Sequence, residues 1–133
     1  MTVVKNEMLP VVSEADIVVV RRRVREVAIE VGLSLVDQTK LVTAASELAR
    51  NTVIYGGGGS LQVESLNGPR LGIRLTFQDH GPGIPDIDLA LRDGFTTGTG
   101  LGLGLGGAKR LVNEFEIDSA ADRGTKVTLT RWK

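Results

Sequence analysis

Residues 71–83 read LGIRLTFQDHGPG, and this stretch predicts both a β-strand and the loop that follows it. Apolar residues recur at every second position, at Ile73, Leu75 and Phe77, which is typical of a half-buried strand. Asp79 therefore stands where a strand ends and a loop begins.

The loop, Asp79-His80-Gly81-Pro82-Gly83, has the composition of a ligand-binding turn. Gly81 and Gly83 allow positive φ and a close approach of the backbone to a flat ligand. A buried Asp79 carboxylate could accept a hydrogen bond from an adenine amino group, although an acidic turn after an edge strand fits this motif equally well. His80, the single histidine of the chain, is expected at an exposed loop position rather than in catalysis.

Strand and helix patterns alternate on both sides of this stretch. A capping box at Ser13 and Asp16 predicts a helix start, and Asn67-Gly68 predicts a hairpin. The chain has two glycine clusters, Gly56 to Gly59 and Gly98 to Gly107. In chain order the predicted elements are an edge strand over 2–12, a helix from Ser13 to about Val31, a helix from Ser34 or Asp37 to about Tyr55 that the first cluster breaks, strands over 60–66 and 71–78, at most a short helical turn over Leu89 to Asp93, a helix from the second cluster to about Phe115, and strands over 116–120 and 126–132.

These elements predict the α+β class: one domain over residues 1–133, with a mixed, mostly antiparallel sheet covered by helices on one face. The formal net charge is zero and aromatic residues make up 4% of the chain, which argues against a nucleic-acid partner. The longest apolar run, Ile17 to Val20, is far too short to span a bilayer. The absence of cysteine excludes disulfides and thiolate catalysis. We therefore expect a cytoplasmic protein that binds neither nucleic acid nor a membrane.

Glu47 and Asn51 are four residues apart on the second predicted helix, so their side chains project from one face. The amide oxygen of Asn51 suits Mg²⁺, which prefers oxygen ligands. The carboxylate of Glu47 could accept a proton from an attacking hydroxyl. A solvent-facing polar pair would have the same spacing, so the spacing alone does not distinguish a binding site from an exposed helix face.

A glycine-rich stretch, TGTGLGLGLGG, occupies residues 97–107 and is followed by an amphipathic helix. Its unhindered N–H groups and its threonine hydroxyls can bind phosphate oxygens. It is neither a P-loop nor a dinucleotide fingerprint. The alternating leucines argue against a flexible linker. Further on, the Thr125 hydroxyl at the start of the last strand could join Asp79 in holding adenine, directly or through a water.

In this order the four motifs resemble those of the GHKL ATPase superfamily, which includes gyrase, the Hsp90 chaperone, histidine kinases and MutL. Glu47 to Asn51 resembles its N box, and Asp79 to Gly83 its Asp-x-Gly-x-Gly box. Gly100 to Gly104 resembles its second glycine box, and Gly124-Thr125 its last motif. The resemblance implies the Bergerat fold, a two-layer α/β sandwich that binds ATP and Mg²⁺.

Between Ser13 and Trp132 the chain further resembles the RsbT switch kinases of bacterial stressosomes. Gly106 departs from that pattern, since proline is expected there. The segments that carry the resemblance are Asp37-Gln38, Ser46 to Asn51, Asp79 to Asp86, Asp93 to Thr97 and Lys109 to Leu111.

This resemblance implies a role for each matching residue. Glu47 would be the general base, Asn51 would bind Mg²⁺, and Asp79 would recognise adenine with Gly81, Gly83 and Thr125 nearby. The phosphates would be held by Thr97, Gly98, Thr99, Gly100, Leu101, Gly102, Leu103 and Gly104.

The implied function is an ATP-dependent protein serine/threonine kinase that phosphorylates STAS-domain proteins in a bacterial stress and sigma-factor pathway. A PP2C-type phosphatase is a further partner that the resemblance implies. The alternative is an anti-sigma factor or another binding protein in which ATP only shapes the docking surface. A third reading, an α+β domain with a flexible glycine loop, predicts no affinity for ATP.

Overall fold

The computed structural model describes residues 1–84, 91, 104–120 and 122–133, and these form five strands and three helices. The order of the elements follows the sequence prediction closely. They are β1 (Thr2–Val11), α1 (Glu14–Val31), α2 (Leu35–Ile54), β2 (Gly59–Asn67), β3 (Gly72–Asp79), α3 (Gly104–Arg110), β4 (Glu114–Ala120) and β5 (Gly124–Trp132).

Capping residues that the sequence provides mark both ends of α1 and the start of α2. At α1 the Ser13 hydroxyl accepts from the Asp16 N–H at 3.3 Å, and the Asp16 carboxylate accepts from the Ser13 N–H at 3.3 Å. Gly32 ends α1 with φ of 95°, a left-handed conformation that glycine adopts without strain. At α2 the cap is Ser34, whose hydroxyl accepts from the Asp37 N–H at 3.1 Å, and this settles the start of the helix.

The five strands form one sheet in the order β1-β2-β3-β5-β4, and each of the described pairings is antiparallel. β1 and β4 are therefore the edges, as predicted for β1. The Asn67-Gly68 hairpin joins β2 to β3 as expected. β5 lies between β3 and β4, so it is an interior strand of the sheet although it comes last along the chain.

The core lies between the sheet and the layer formed by α1 and α2. α1 contributes buried valines at every third or fourth position, and the strands contribute alternate residues. The side chains on these helix and strand faces pack together in the core. This confirms the predicted two-layer sandwich with helices on one face. The fully buried side chains include Val20, Val24, Val27, Leu41, Leu48, Leu61, Ile73, Leu75, Phe77 and Leu129.

The opposite face of the sheet carries no helix among the described residues and is polar. Glu64 and Arg74, which face each other across β2 and β3, form a two-pronged ion pair with N–O distances of 2.9 and 3.0 Å. Glu64 is nevertheless buried. The hydrogen bonds to Glu64 raise the pKa of the Arg74 guanidinium above its ordinary value, against an opposing effect of burial.

The predicted end of the third helix at about Phe115 is wrong, because α3 ends at Arg110 and Phe115 already belongs to β4. The Leu111 N–H closes a tight turn on the Ala108 carbonyl at 3.0 Å. The Asn113 N–H then donates to the Thr130 carbonyl of β5 at 3.0 Å, so pairing with the sheet replaces the helix. The alternation of acidic and apolar residues over 114–118 is the strand signal that the prediction missed.

The bounds of α1, α2 and the first three strands agree with the sequence prediction within one residue, whereas the last two strands begin two residues earlier than predicted. The turn expected at Leu89 to Asp93 lies outside the described residues, apart from Leu91. None of the described helices combines the length and the apolar character that crossing a membrane requires.

Candidate nucleotide-binding site

Asp79 is the last residue of β3, and its carboxylate is buried on the helix-facing side of the sheet. Its Oδ1 accepts from the Gly81 N–H at 2.9 Å and from the Thr125 N–H at 3.2 Å. Its Oδ2 makes no hydrogen bond with any residue in the described part of the chain. The carboxylate is thus fixed through one oxygen, while the other remains an acceptor.

Three glycines pack against Asp79 and leave no room for a side chain. A methyl group on Gly56 would overlap the Asp79 carboxylate, and one on Gly124 would overlap the Asp79 carbonyl oxygen. A methyl group on Gly81 would lie 2.8 Å from the backbone of Gly56. Gly124 also has φ of 79°, which disfavours any other residue. The backbone therefore closes tightly around one carboxylate.

The C-terminal end of α2 leads directly into Gly56, one of the glycines around Asp79. The Asn51 carbonyl accepts from the N–H groups of Tyr55 at 2.9 Å and Gly56 at 3.1 Å. Gly59, at the start of β2, pairs with Asp79 in the sheet. The glycines between α2 and β2, predicted only to break the helix, thus bring the helix that carries Asn51 next to Asp79.

Glu47 and Asn51 both lie on α2 and are half-buried. The Glu47 Oε1 accepts from Arg50 Nη2 at 3.0 Å in an ion pair within the helix. Within residues 1–84, 91, 104–120 and 122–133, the Glu47 Oε2 and the Asn51 side-chain amide make no hydrogen bond. Both residues therefore keep a polar atom for a ligand or substrate.

The glycine-rich stretch is described only from Gly104 onward. Gly104 begins α3 with φ of 69° and is buried, and α3 packs against α2. Gly106, the departure from the expected proline, is buried inside α3. The other predicted phosphate-binding residues, Thr97, Gly98, Thr99, Gly100, Leu101, Gly102 and Leu103, lie outside the described residues.

Thr125 lies at the start of β5, and its N–H anchors the Asp79 carboxylate as described above. Gly81 and Gly83 also lie where the sequence predicted, with Gly83 at φ of 80°. His80 is exposed, as expected. The Pro82 carbonyl accepts from the Asp122 N–H at 2.8 Å, which ties this loop to the turn between β4 and β5.

Sequence reasoning missed Ser119, which sits beside Thr125 on β4. Its hydroxyl oxygen lies 2.9 Å from the Thr125 Oγ1, 3.0 Å from the Gly124 carbonyl and 2.8 Å from the Ile84 nitrogen. No local pattern marks one serine in an edge strand as part of a site. The importance of Gly56 was also missed, although its place directly after the Glu47–Asn51 helix was an available signal.

A shallow polar depression of about 430 Å³ lies on the uncovered face of the sheet, and it is separate from this site. None of the predicted site residues lines it; Glu64, Arg74 and Glu116 are among those that do. Across the described ranges, no group of three or more His, Cys, Asp or Glu side chains is arranged to hold a metal ion.

Comparison with known proteins identifies the class that this fold and site define. The family model described as "Histidine kinase-, DNA gyrase B-, and HSP90-like ATPase" matches residues 36–133. The chain belongs to this family. The predicted GHKL relationship and ATP-binding fold are thereby confirmed.

Among curated proteins, the chain is 44% identical to the serine/threonine-protein kinase RsbT of Bacillus subtilis over 92% of each chain. It is also 31% identical to an anti-sigma F factor of Bacillus licheniformis, over 71% of this chain and 69% of that one. The chain is thus a homologue of RsbT, and the enzyme class predicted from sequence is the one that this relative carries.

Solved structures agree on the fold. One contains the RsbU and RsbW domains of a Mycobacterium tuberculosis protein, with a TM-score of 0.66 and 25% identity. The match covers 96% of this chain and 32% of that one. The mycobacterial sensor histidine kinase MprB, at 20% identity, matches over 96% of this chain and 97% of its own with a TM-score of 0.57. MprB supports the fold alone.

Proposed function

We propose that this chain is an ATP-dependent protein serine/threonine kinase in which Asp79 recognises adenine. The observation that carries the proposal is the buried Asp79 carboxylate, with Oδ1 held by two backbone N–H groups and Oδ2 left as an acceptor. A carboxylate oxygen that no backbone group occupies offers a charged acceptor to a ligand donor. The exocyclic amine of adenine would supply that donor, whereas guanine has an acceptor oxygen at the same position.

The phosphates would extend from adenine toward the glycine-rich stretch, residues 97–104. Asn51 would reach the metal through its side-chain amide, which makes no hydrogen bond with the described residues. Mg²⁺ bound there would neutralise phosphate charge during transfer. The hydrogen bonds to the Asn51 carbonyl hold this end of α2 beside Asp79, which supports a nucleotide that runs from Asp79 toward Asn51.

Glu47 lies one turn before Asn51 and would act on the hydroxyl of a protein substrate. Its Oε1 is held by Arg50, so the Oε2 is the atom that would accept the hydroxyl proton. Phosphoryl transfer depends chiefly on positioning and charge neutralisation. A Glu47 carboxylate fixed by Arg50 on the same helix face as Asn51 would contribute to positioning.

The proposed substrates are STAS-domain proteins in a bacterial stress and sigma-factor pathway, and a PP2C-type phosphatase is a second proposed partner. The proposed location is the cytoplasm, and we propose that the chain works as one nucleotide-binding domain. The 44% identity to RsbT over nearly the whole of both chains supports this assignment. A second candidate, an anti-sigma factor in which ATP shapes a docking surface, is supported by the similarity to an anti-sigma F factor.

The test is incubation with Mg-ATP and purified STAS-domain proteins, followed by intact-mass measurement of each partner. We expect a mass increase of one phosphate with the wild type and none with Glu47→Gln, which should still bind ATP in calorimetry. Equal transfer by Glu47→Gln would remove Glu47 from its role. Capture of a sigma factor by both forms, without any transfer, would favour the anti-sigma candidate.

A further inference from the structure

Ser119 forms the third member of a row of polar side chains that crosses three adjacent strands. Thr125 on β5 pairs directly with Ser119 on β4, and its N–H bonds to Asp79 at the end of β3. The Ser119 Oγ lies within hydrogen-bond distance of three groups: the Ile84 N–H at 2.8 Å, the Gly124 carbonyl at 3.0 Å and the Thr125 Oγ1 at 2.9 Å.

Counting protons settles the direction of each of these bonds. A serine hydroxyl has one proton and two lone pairs. The Ile84 N–H can only donate, so it occupies one lone pair of Ser119. The Gly124 carbonyl can only accept, so it takes the Ser119 proton. The remaining lone pair must then accept the proton of the Thr125 hydroxyl. In the reverse arrangement the Gly124 carbonyl would face the Ser119 oxygen at 3.0 Å with no proton between them.

Thr125 is consequently held with both of its donors in use. Its N–H points to the Asp79 Oδ1, and its hydroxyl proton points to Ser119. The Thr125 Oγ1 therefore offers only lone pairs to a ligand, as does the Asp79 Oδ2. Asp79 and Thr125 are joined by the Thr125 N–H. Two acceptors on residues joined in this way match an amino group, which has two N–H donors, and oppose a carbonyl oxygen.

We infer that Ser119 is a positioning residue that fixes the Thr125 hydroxyl as an acceptor and so makes the site select a 6-amino purine over a 6-oxo purine. The inference rests on the proposed function, since it assumes that the base lies against Asp79 and Thr125. This selection requires direct contact between the base and the Thr125 hydroxyl, because a bridging water could donate to Thr125 and to a 6-oxo group at the same time.

The test compares Ser119→Val with Ser119→Thr, since valine and threonine have the same shape and differ by one hydroxyl. The measurement is the ratio of the Kd for GTP to the Kd for ATP, by calorimetry on the full chain. Freed from Ser119, the Thr125 hydroxyl can turn to donate to a 6-oxo group. We expect this ratio to fall about three- to tenfold in Ser119→Val, the scale of one neutral hydrogen bond, and to return in Ser119→Thr.

A double-mutant cycle with Thr125→Val separates this role from a merely structural one. Thr125→Val alone should lower the ratio to a similar extent, and Ser119→Val should add nothing in that background. An independent effect of Ser119→Val there would overturn the inference. A Thr125→Val variant with the wild-type ratio of Kd values would also overturn it. This measurement does not depend on whether Ser119→Val folds.

The two proposals fail in different ways. A wild-type chain that binds neither nucleotide contradicts the proposed function, and the inference falls with it. A wild-type chain that prefers ATP, together with a Ser119→Val variant of unchanged preference, contradicts the role of Ser119 alone.

Discussion

The Oδ1 of Asp79 accepts a hydrogen bond of 3.2 Å from the backbone N–H of Thr125, a residue 46 positions further along the chain. This contact joins β3 to β5 at the point where both strands meet the loops of the candidate site. The two oxygens of the carboxylate therefore differ in role, because Oδ1 accepts the backbone hydrogen bonds and Oδ2 is left for a ligand.

Asp79→Asn should weaken ATP binding without unfolding the protein. The asparagine oxygen can keep both backbone bonds, whereas its amide nitrogen would place a donor against the donor of adenine. Losing a charge-assisted buried hydrogen bond costs roughly 1.5–3 kcal/mol, or about ten- to a hundredfold in Kd. Calorimetry measures the affinity, and an unchanged melting temperature is the control. Wild-type affinity would show that adenine does not bind here.

Gly56→Ala should damage both stability and nucleotide binding, because the new methyl group would overlap the Asp79 carboxylate. Displacement of a packed group of this kind costs about 1–3 kcal/mol in the free energy of unfolding. Gly68→Ala is the matched control, since a methyl group there lies at least 3.5 Å from its neighbours. Denaturant unfolding and calorimetry check the result. Equal behaviour of the two variants would contradict the close packing described for Gly56.

Asn51→Ala should reduce the contribution of Mg²⁺ to ATP binding. We expect the ratio of ATP affinities with Mg²⁺ and with a chelator to shrink by about tenfold, on the scale of one lost polar contact to a cation. The carbonyl of residue 51 still accepts from Tyr55 and Gly56, so the end of α2 should remain in place. Circular dichroism is the control for that helix. A ratio equal to that of the wild type would exclude Asn51 as the metal ligand.

Glu64→Gln should lower stability while leaving ATP affinity unchanged, because the Glu64–Arg74 pair lies on the uncovered face of the sheet. We expect a loss of about 1–2 kcal/mol, less than for a fully buried pair because Arg74 is partly exposed to solvent. Denaturant unfolding gives the free energy. Weakened ATP binding in this variant would contradict the proposed site beside Asp79, because it would point to a nucleotide bound on the same face as Glu64.

The Lys5–Glu30 contact between β1 and α1, 2.7 Å long, should make stability depend on pH in the acid range. The hydrogen bond from Lys5 lowers the pKa of Glu30 below its ordinary value. The pair therefore stabilises fully above the unfolded pKa of about 4.3, and this contribution is lost as the pH falls through the lower folded pKa. Glu30→Gln should melt earlier than the wild type at pH 7, and the difference in melting temperature should shrink as the pH falls through the folded pKa of Glu30. A difference that stays constant with falling pH would assign the effect to something other than this charge.

Much of the fold could be predicted from sequence because its signals are local. The alternation at Ile73, Leu75 and Phe77 marks β3, and the caps at Ser13 and Gly32 mark both ends of α1. The prediction failed where a distant partner decides the outcome. α3 ends at Arg110 because Asn113 already pairs with Thr130 of β5, and no pattern within the helix itself reports that pairing.

For the site, the sequence by itself determined which residues carry chemistry: the spacing of Glu47 and Asn51 on one helix face, and the Asp79 loop at a strand end. Only the tertiary structure decided which groups meet. Asp79, Thr125 and Ser119 form one row because β5 inserts between β3 and β4, and Gly56 touches Asp79 because α2 ends over β3. The physical reason is range: periodicity and capping act over a few residues, whereas strand order and backbone contact depend on how distant segments share one core.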